Sequence, residues 1–228
     1  MNTFKNGYSC YARGAGIQLE MKSVWMSLQM KETGGKVKIH IIRHGSTLAN
    51  EKKLYCGQTD LPLSRKGIDE INHYKKMGIY PKAPDLFFVS NLIRTKETLS
   101  LIYGSVEGVP ISQFAEFNFG RFEMKSYEEL KEQPEYHTWA YDEAGLAPCP
   151  DGECKQQFTQ RVLEGFEALT KRTTGANEIF VVCHGGVIVS IMEHLFSDTY
   201  HFYEWLPKTG RGYTLIRNIN KCYKYNKI

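Results

Sequence analysis

The sequence predicts an α/β fold with a largely parallel sheet covered by helices on both faces. Leu86–Val89 and Ile179–Cys183 are strand-sized apolar runs without polar alternation, and Val37–Ile42 is rich in β-branched residues and reads as a further buried strand. Each is followed by a segment with helical periodicity, which implies βαβ units. The chain has 228 residues, enough for one large domain of this kind.

Taken in order, Val37–Ile42 is the first strand. Ser64 is placed to cap a helix over Arg65–Met77. Leu86–Val89 is the second strand, and a helix follows over Leu92–Tyr103. Val109–Gln113 reads as a short strand, and residues 118–152 as irregular, aromatic and broken by Pro and Gly. Phe158, Val162, Leu163, Phe166 and Leu169 share one face of a helix over Lys155–Lys171. Ile179–Cys183 is the third buried strand, followed by a helix over Val187–Phe196. Tyr213–Ile219 and Cys222–Tyr225 read as closing strands, joined by a hairpin at Asn220-Lys221. Residues 1–36 show no sustained periodicity and are read as a poorly ordered N-terminal extension, with an amphipathic docking segment around Val24, Trp25 and Leu28 as the alternative. The domain proper runs over residues 37–228.

Composition removes several classes of function. Lys and Arg number 29 against 25 Asp and Glu, a net charge of +4. The basic residues are scattered in pairs such as Lys52-Lys53 and Lys171-Arg172, where nucleic acid needs a concentrated stripe. No apolar run approaches the roughly 18–20 residues of a membrane span. The six cysteines form no Cys-x-x-Cys and no zinc spacing. The expectation is a cytoplasmic protein with a small-molecule partner, no nucleic acid, no membrane, no metal and no cofactor.

The chemistry gathers at strand ends. The first strand runs into Arg43-His44-Gly45, the second into Ser90-Asn91 with Arg94 in the next helical turn, and the third into His184-Gly185-Gly186. In a parallel sheet these ends share one edge, where ligands bind. Two His and two Arg are therefore predicted to converge. The glycines admit close backbone approach, and helix N-termini add N–H donors and partial positive charge. Such a site suits a small anion such as a phosphoryl group.

These residues resemble the histidine phosphatase, or phosphoglycerate mutase-like, superfamily. The likeness covers Arg43-His44-Gly45-x-Thr47-x-x-Asn50, Gly57-Gln58-Thr59-Asp60-x-Pro62-Leu63-Ser64-x-x-Gly67, Ser90-Asn91-Leu92-x-Arg94-Thr95-x-x-Thr98, Glu116-x-x-x-Gly120-x-Phe122-Glu123, Gly152-Glu153 and His184-Gly185-Gly186. It implies a three-layer αβα sandwich. It also implies catalytic roles for His44 as nucleophile, Glu116 as proton donor and His184 as a donor to the transferring group. Arg43, Asn50, Arg94 and Gly185 would bind the phosphate, the arginines through charge-assisted bonds. Phe114, Phe117 and Phe119 would desolvate a carboxyl at 116, which suits an acid.

The run from Glu116 to Glu123 is similar to the phosphatase branch. Tyr127-Glu128-Glu129-Leu130, Pro134, Trp139, Pro150-x-Gly152-Glu153 and Phe158-x-x-Arg161-Val162 are similar to α-ribazole phosphatases, which remove a 5′-phosphate in cobalamin nucleotide-loop assembly. Mutase-type phosphoryl transfer and a broad-specificity small-molecule phosphatase are the alternatives. Phe122, Met124 and Cys154 stand where these relatives usually carry Trp, Gly and Ser. Phe119, Phe122, Tyr127, Tyr136 and Trp139 are placed either to stack on an aromatic substrate or to fill the core. Glu123 and Glu153 are left open, a helix cap or hinge being one reading of Glu153.

Overall fold

A computed structural model describes residues 36–173, 175–196, 202–218 and 220–228. Apart from Lys36, the expected N-terminal extension lies outside the described residues.

Strand β1 (Val37–Arg43) is followed by a one-turn helix α1 (Leu48–Glu51), helix α2 (Arg65–Lys76), β2 (Leu86–Val89), α3 (Ile93–Tyr103) and β3 (Val109–Pro110). Short helices α4 (Tyr127–Leu130) and α5 (Pro134–Ala140) precede the long α6 (Lys155–Arg172). The chain closes with β4 (Glu178–Cys183), α7 (Gly185–Leu195), α8 (Phe202–Trp205), β5 (Gly212–Arg217) and β6 (Tyr223–Lys227). The sheet has six strands in the order β3-β2-β4-β1-β5-β6. β1, β2, β3 and β4 pair in parallel, while β5 and β6 pair antiparallel, completing the mostly parallel sheet that the sequence predicts.

Alternation along the central strands builds the three layers. Ile179, Val181 and Cys183 of β4 point into one core with Ile39 and Ile41 of β1, Phe158, Val162 and Phe166 of α6, and Ile188 and Ile191 of α7. Phe180 and Val182 point the other way, into a second core with Ile42, Ile71 of α2, and Leu99 and Ile102 of α3. Burial on both faces explains why Ile179–Cys183 of β4 reads as an unbroken apolar run.

Ser64 caps α2 as expected, its Oγ accepting from Gly67 N at 3.1 Å. Several boundaries differ from expectation. The predicted strand over Val109–Gln113 stops at Pro110, because residues 112–114 turn into a 3-10 helix. Residues 118–152 are less irregular than expected and carry α4 and α5. Helix α7 starts at Gly185 rather than at Val187. Two glycines are poor helix formers, but a Cβ at Gly185 would lie 2.7 Å from Leu206 Cδ1, and one at Gly186 would lie 2.5 Å from Glu116 Oε1. Close packing at this helix start overrides propensity.

Candidate active site

His44 follows β1 and is 4% exposed. Its Nδ1–H donates to Gly45 O at 2.7 Å, which fixes the ring and leaves the Nε2 lone pair free to act. His184, fully buried, is the N-cap of α7. The two imidazoles meet edge to face with centroids 5.1 Å apart. Burial drives the pKa of each well below the ordinary His value, and the Arg94 and Arg43 guanidiniums push both further down. Both rings are therefore neutral at pH 7.

Ser90, at the end of β2, sets the tautomer of His184. Ser90 Oγ and His184 Nε2 are 2.6 Å apart. The Thr95 hydroxyl donates to backbone carbonyls, Leu92 O at 2.7 Å and Ser90 O at 2.9 Å. Its oxygen is 3.3 Å from Ser90 Oγ, beyond the usual O–H···O range. His184 Nε2 is thus the short partner of the Ser90 hydroxyl, and a proton donated to it leaves the imidazole proton on Nδ1. His184 Nδ1 is buried with no hydrogen-bond partner, and so is Arg43 Nε.

Arg94, in the first turn of α3, is 1% exposed. Its Nη2 donates to Gly57 O at 2.7 Å and its Nη1 to Thr59 O at 2.9 Å. Each terminal nitrogen keeps a second N–H for a ligand. Arg43 Nη1 donates to Pro207 O at 2.9 Å. Gly185 packs against this guanidinium: a Cβ there would be 3.3 Å from Arg43 Nε. Glu116 is held by two backbone donors, Gly186 N to Oε2 and Phe117 N to Oε1, each at 3.0 Å.

Asn50 stands to one side. Its Oδ1 accepts from Thr47 N at 3.0 Å in a capping box at the start of α1, which leaves its amide N–H2 as the donor end. It lines a cavity of about 430 Å³ with Arg43, Ser46, Lys53, Lys66 and Lys208. A larger hollow of about 1240 Å³ runs along α6 and touches none of the seven predicted residues. The fold therefore gathers His44, His184, Arg43, Arg94, Glu116 and Gly185 at one edge of the sheet, with Asn50 beside Arg43.

Several contributors are not among the predicted site residues. The Glu123 carboxylate accepts from the backbone N–H of Gly57, Gln58 and Thr59 and from Thr59 Oγ1, so it shapes the loop whose carbonyls hold Arg94. Glu153 does not cap α6. That role falls to Cys154, which accepts from Gln157 N, and Glu153 instead pairs with Arg161. Met124 has φ 60°, the left-handed region where Gly is favoured. Phe122, Tyr136 and Trp139 are buried core residues, and Phe119 packs against them. Burial of Phe122, Tyr136 and Trp139 removes them as stacking platforms for a substrate, whereas Tyr127 is half-exposed.

Among the described residues, no three His, Cys, Asp or Glu side chains form a group that could hold a metal ion. Among the same residues no helix is long and apolar enough to cross a membrane. The family model of the histidine phosphatase superfamily (branch 1) matches residues 39–219. The chain belongs to the histidine phosphatase superfamily. Within it, the chain is similar to the adenosylcobalamin/alpha-ribazole phosphatase of Escherichia coli, 30% identical over 164 residues, 70% of this chain and 79% of the relative. It is also similar to the 2,3-bisphosphoglycerate-dependent phosphoglycerate mutase of Protochlamydia amoebophila, 28% identical over 198 residues, 70% of this chain and 85% of the mutase. The crystal structure of the alpha-ribazole phosphatase from Shigella flexneri superposes with a TM-score of 0.73 at 26% identity, covering 82% of this chain and 94% of that one.

Proposed function

We propose that this histidine phosphatase is a metal-independent phosphomonoesterase that works through a phosphohistidine at His44, and that its substrate is α-ribazole 5′-phosphate. The observation that carries the phosphoryl chemistry is the pair of buried, unpartnered donors, Arg43 Nε and His184 Nδ1, in a site whose nearby imidazole keeps a free Nε2. Buried donors without partners are costly, and a phosphoryl group would satisfy both.

In the proposed reaction His44 Nε2 attacks phosphorus while Arg43 and Arg94 hold the phosphoryl oxygens. Asn50 adds an amide donor beside Arg43, and the start of α7 at Gly185 adds partial positive charge. His184 donates from Nδ1 to a phosphoryl oxygen as charge develops. Glu116, protonated, gives its proton to the leaving oxygen as the P–O bond breaks. The resulting carboxylate takes a proton from water, and the hydroxide attacks the phosphohistidine. Inorganic phosphate leaves and neutral His44 is restored. The cationic charge that the transition state needs comes from the two arginines, so the scheme contains no metal ion.

The choice of substrate rests on similarity to alpha-ribazole phosphatases. Mutase-type transfer is the second reading, favoured by the similarity to a phosphoglycerate mutase. The test is phosphate release from α-ribazole 5′-phosphate, p-nitrophenyl phosphate and 3-phosphoglycerate in the presence of a chelator. Strong preference for the first is expected. Similar slow release from all three would remove the substrate assignment. Isomerisation of 3-phosphoglycerate without net phosphate release would favour the mutase reading.

A further inference from the structure

Residues 112–118 carry Glu116 into the site, yet beyond the 3-10 turn at Ser112–Phe114 they belong to no helix or strand. Two backbone N–H groups hold the carboxyl itself, but no helix or strand ladder holds the backbone of residues 115–118 that carries it. Arg161, two turns into α6, does that work from outside. Its Nη1 donates to Gln113 O and to Ala115 O, both at 2.8 Å, and its Nη2 donates to Glu116 O at 2.9 Å. The remaining donors form a fork on Glu153, Nε to Oε2 at 2.9 Å and Nη2 to Oε1 at 2.6 Å. Glu153 Oε1 also accepts from Asn118 N at 2.7 Å. The guanidinium plane is backed by the Phe158 ring, 4.8 Å from its centroid. The Arg161–Glu153 pair thus grips the chain on both sides of residue 116 without touching the reacting atoms.

We propose that Arg161 is a positioning residue for proton transfer by Glu116, and that Glu153 locks Arg161 for that task. This rests on the reading of Glu116 as the proton donor. Five hydrogen bonds from one planar fork are beyond lysine, which has a single nitrogen. Arg161→Lys therefore keeps the charge and removes the grip. A misplaced acid slows departure of a poor leaving group, while nitrophenolate leaves without a proton. Hence the loss depends on the leaving group, which a general loss of structure would not produce.

The experiment measures kcat/KM, which covers the steps through departure of the leaving group, for an alkyl phosphate and for p-nitrophenyl phosphate. It uses wild type, Glu116→Gln, Arg161→Lys and Glu153→Gln, each checked for folding by thermal melting. In Arg161→Lys the alkyl phosphate is expected to lose about a hundredfold, and p-nitrophenyl phosphate no more than a few fold. Glu153→Gln is expected to show a smaller split in the same direction, and it decides the matter if Arg161→Lys does not fold. Equal losses on both substrates in the folded variant, or no loss, would overturn the proposal. If Glu116→Gln itself shows no split, the proton-donor reading fails instead, and the two failures are distinguishable.

Discussion

Replacing Ser90 with Ala isolates the proposed contribution of His184. Ser90 is fully buried and its hydroxyl lies 2.6 Å from His184 Nε2, placed to donate to it. The substitution leaves that nitrogen in a buried environment with no donor, a loss of about 1–3 kcal/mol. The imidazole can respond by moving its proton from Nδ1 to Nε2, which turns a lone pair toward the phosphoryl oxygens. One preorganised donor to a transition-state oxyanion is worth roughly 2.7–4 kcal/mol, which sets the ceiling that His184→Ala would reach. Ser90→Ala controls the tautomer and leaves the ring in place, so the smaller figure applies. At about 1.4 kcal/mol per tenfold change, kcat should fall roughly 5- to 140-fold. The phosphoryl group is common to all substrates, so alkyl and nitrophenyl phosphates should lose equally, in contrast to Arg161→Lys. Steady-state rates give the magnitude, and the ¹⁵N shifts of His184 give the tautomer. A wild-type rate in the folded variant, or an Nε2–H imidazole in the wild type, would refute the reasoning.

Other predictions follow from the same geometry. Gly186→Ala should push the Glu116 carboxyl aside, because the added Cβ would lie 2.5 Å from Oε1. Its kcat/KM on alkyl phosphates should drop at least tenfold with the melting temperature little changed, and an unaffected rate would contradict the placement of Glu116. Glu123→Gln should loosen the loop at residues 57–59 that holds Arg94. Roughly one charge-assisted bond is lost, so KM and the inhibition constant for inorganic phosphate should rise about tenfold on every substrate, which initial-rate inhibition curves would measure. His44 and His184 have folded-state pKa values below the ordinary 6.5. Between those values and 6.5 the unfolded chain binds more protons, so stability falls as pH drops below 6.5. Each His contributes a slope of up to about 1.4 kcal/mol per pH unit. Urea unfolding at pH 7.5 and 5.5 measures the sum, and equal stability would show that the rings are not held neutral.

Much of the fold is legible in the sequence because burial leaves a local mark. β4 lies between two helical layers, so Ile179–Cys183 carries no polar residue. Ser64 announces α2 through its own hydroxyl. Helix α1, with its Thr47-x-x-Asn50 capping box, and α4, with Ser126-x-x-Glu129, were equally readable signals, but neither has the apolar periodicity by which a helix is recognised. The start of α7 was not legible, because the need for glycine there comes from Arg43, Leu206 and Glu116, far away in the chain.

The candidate site divides in the same way. His44, His184 and Arg94 are visible because strand ends of a parallel sheet converge. Their supporting contacts are invisible: Ser90 meets His184 across 94 residues, and Arg161 meets Glu116 across 45. Arg161 sits on a helix whose pattern speaks only of the apolar face. Phe122 and Trp139 show the opposite limit, since an aromatic residue in an irregular stretch reads equally well as platform or as core.

The central claim is the covalent phosphohistidine at His44, and chemical trapping addresses it most directly. Enzyme and the Glu116→Gln variant are mixed with ³²P-labelled p-nitrophenyl phosphate, quenched in base, and compared with His44→Asn. The account predicts label on the chain that survives base and is lost in acid, accumulates most in Glu116→Gln, where attack by water is slowed, and is absent from His44→Asn. Label that persists in His44→Asn, or turnover with no label on any chain, would contradict it.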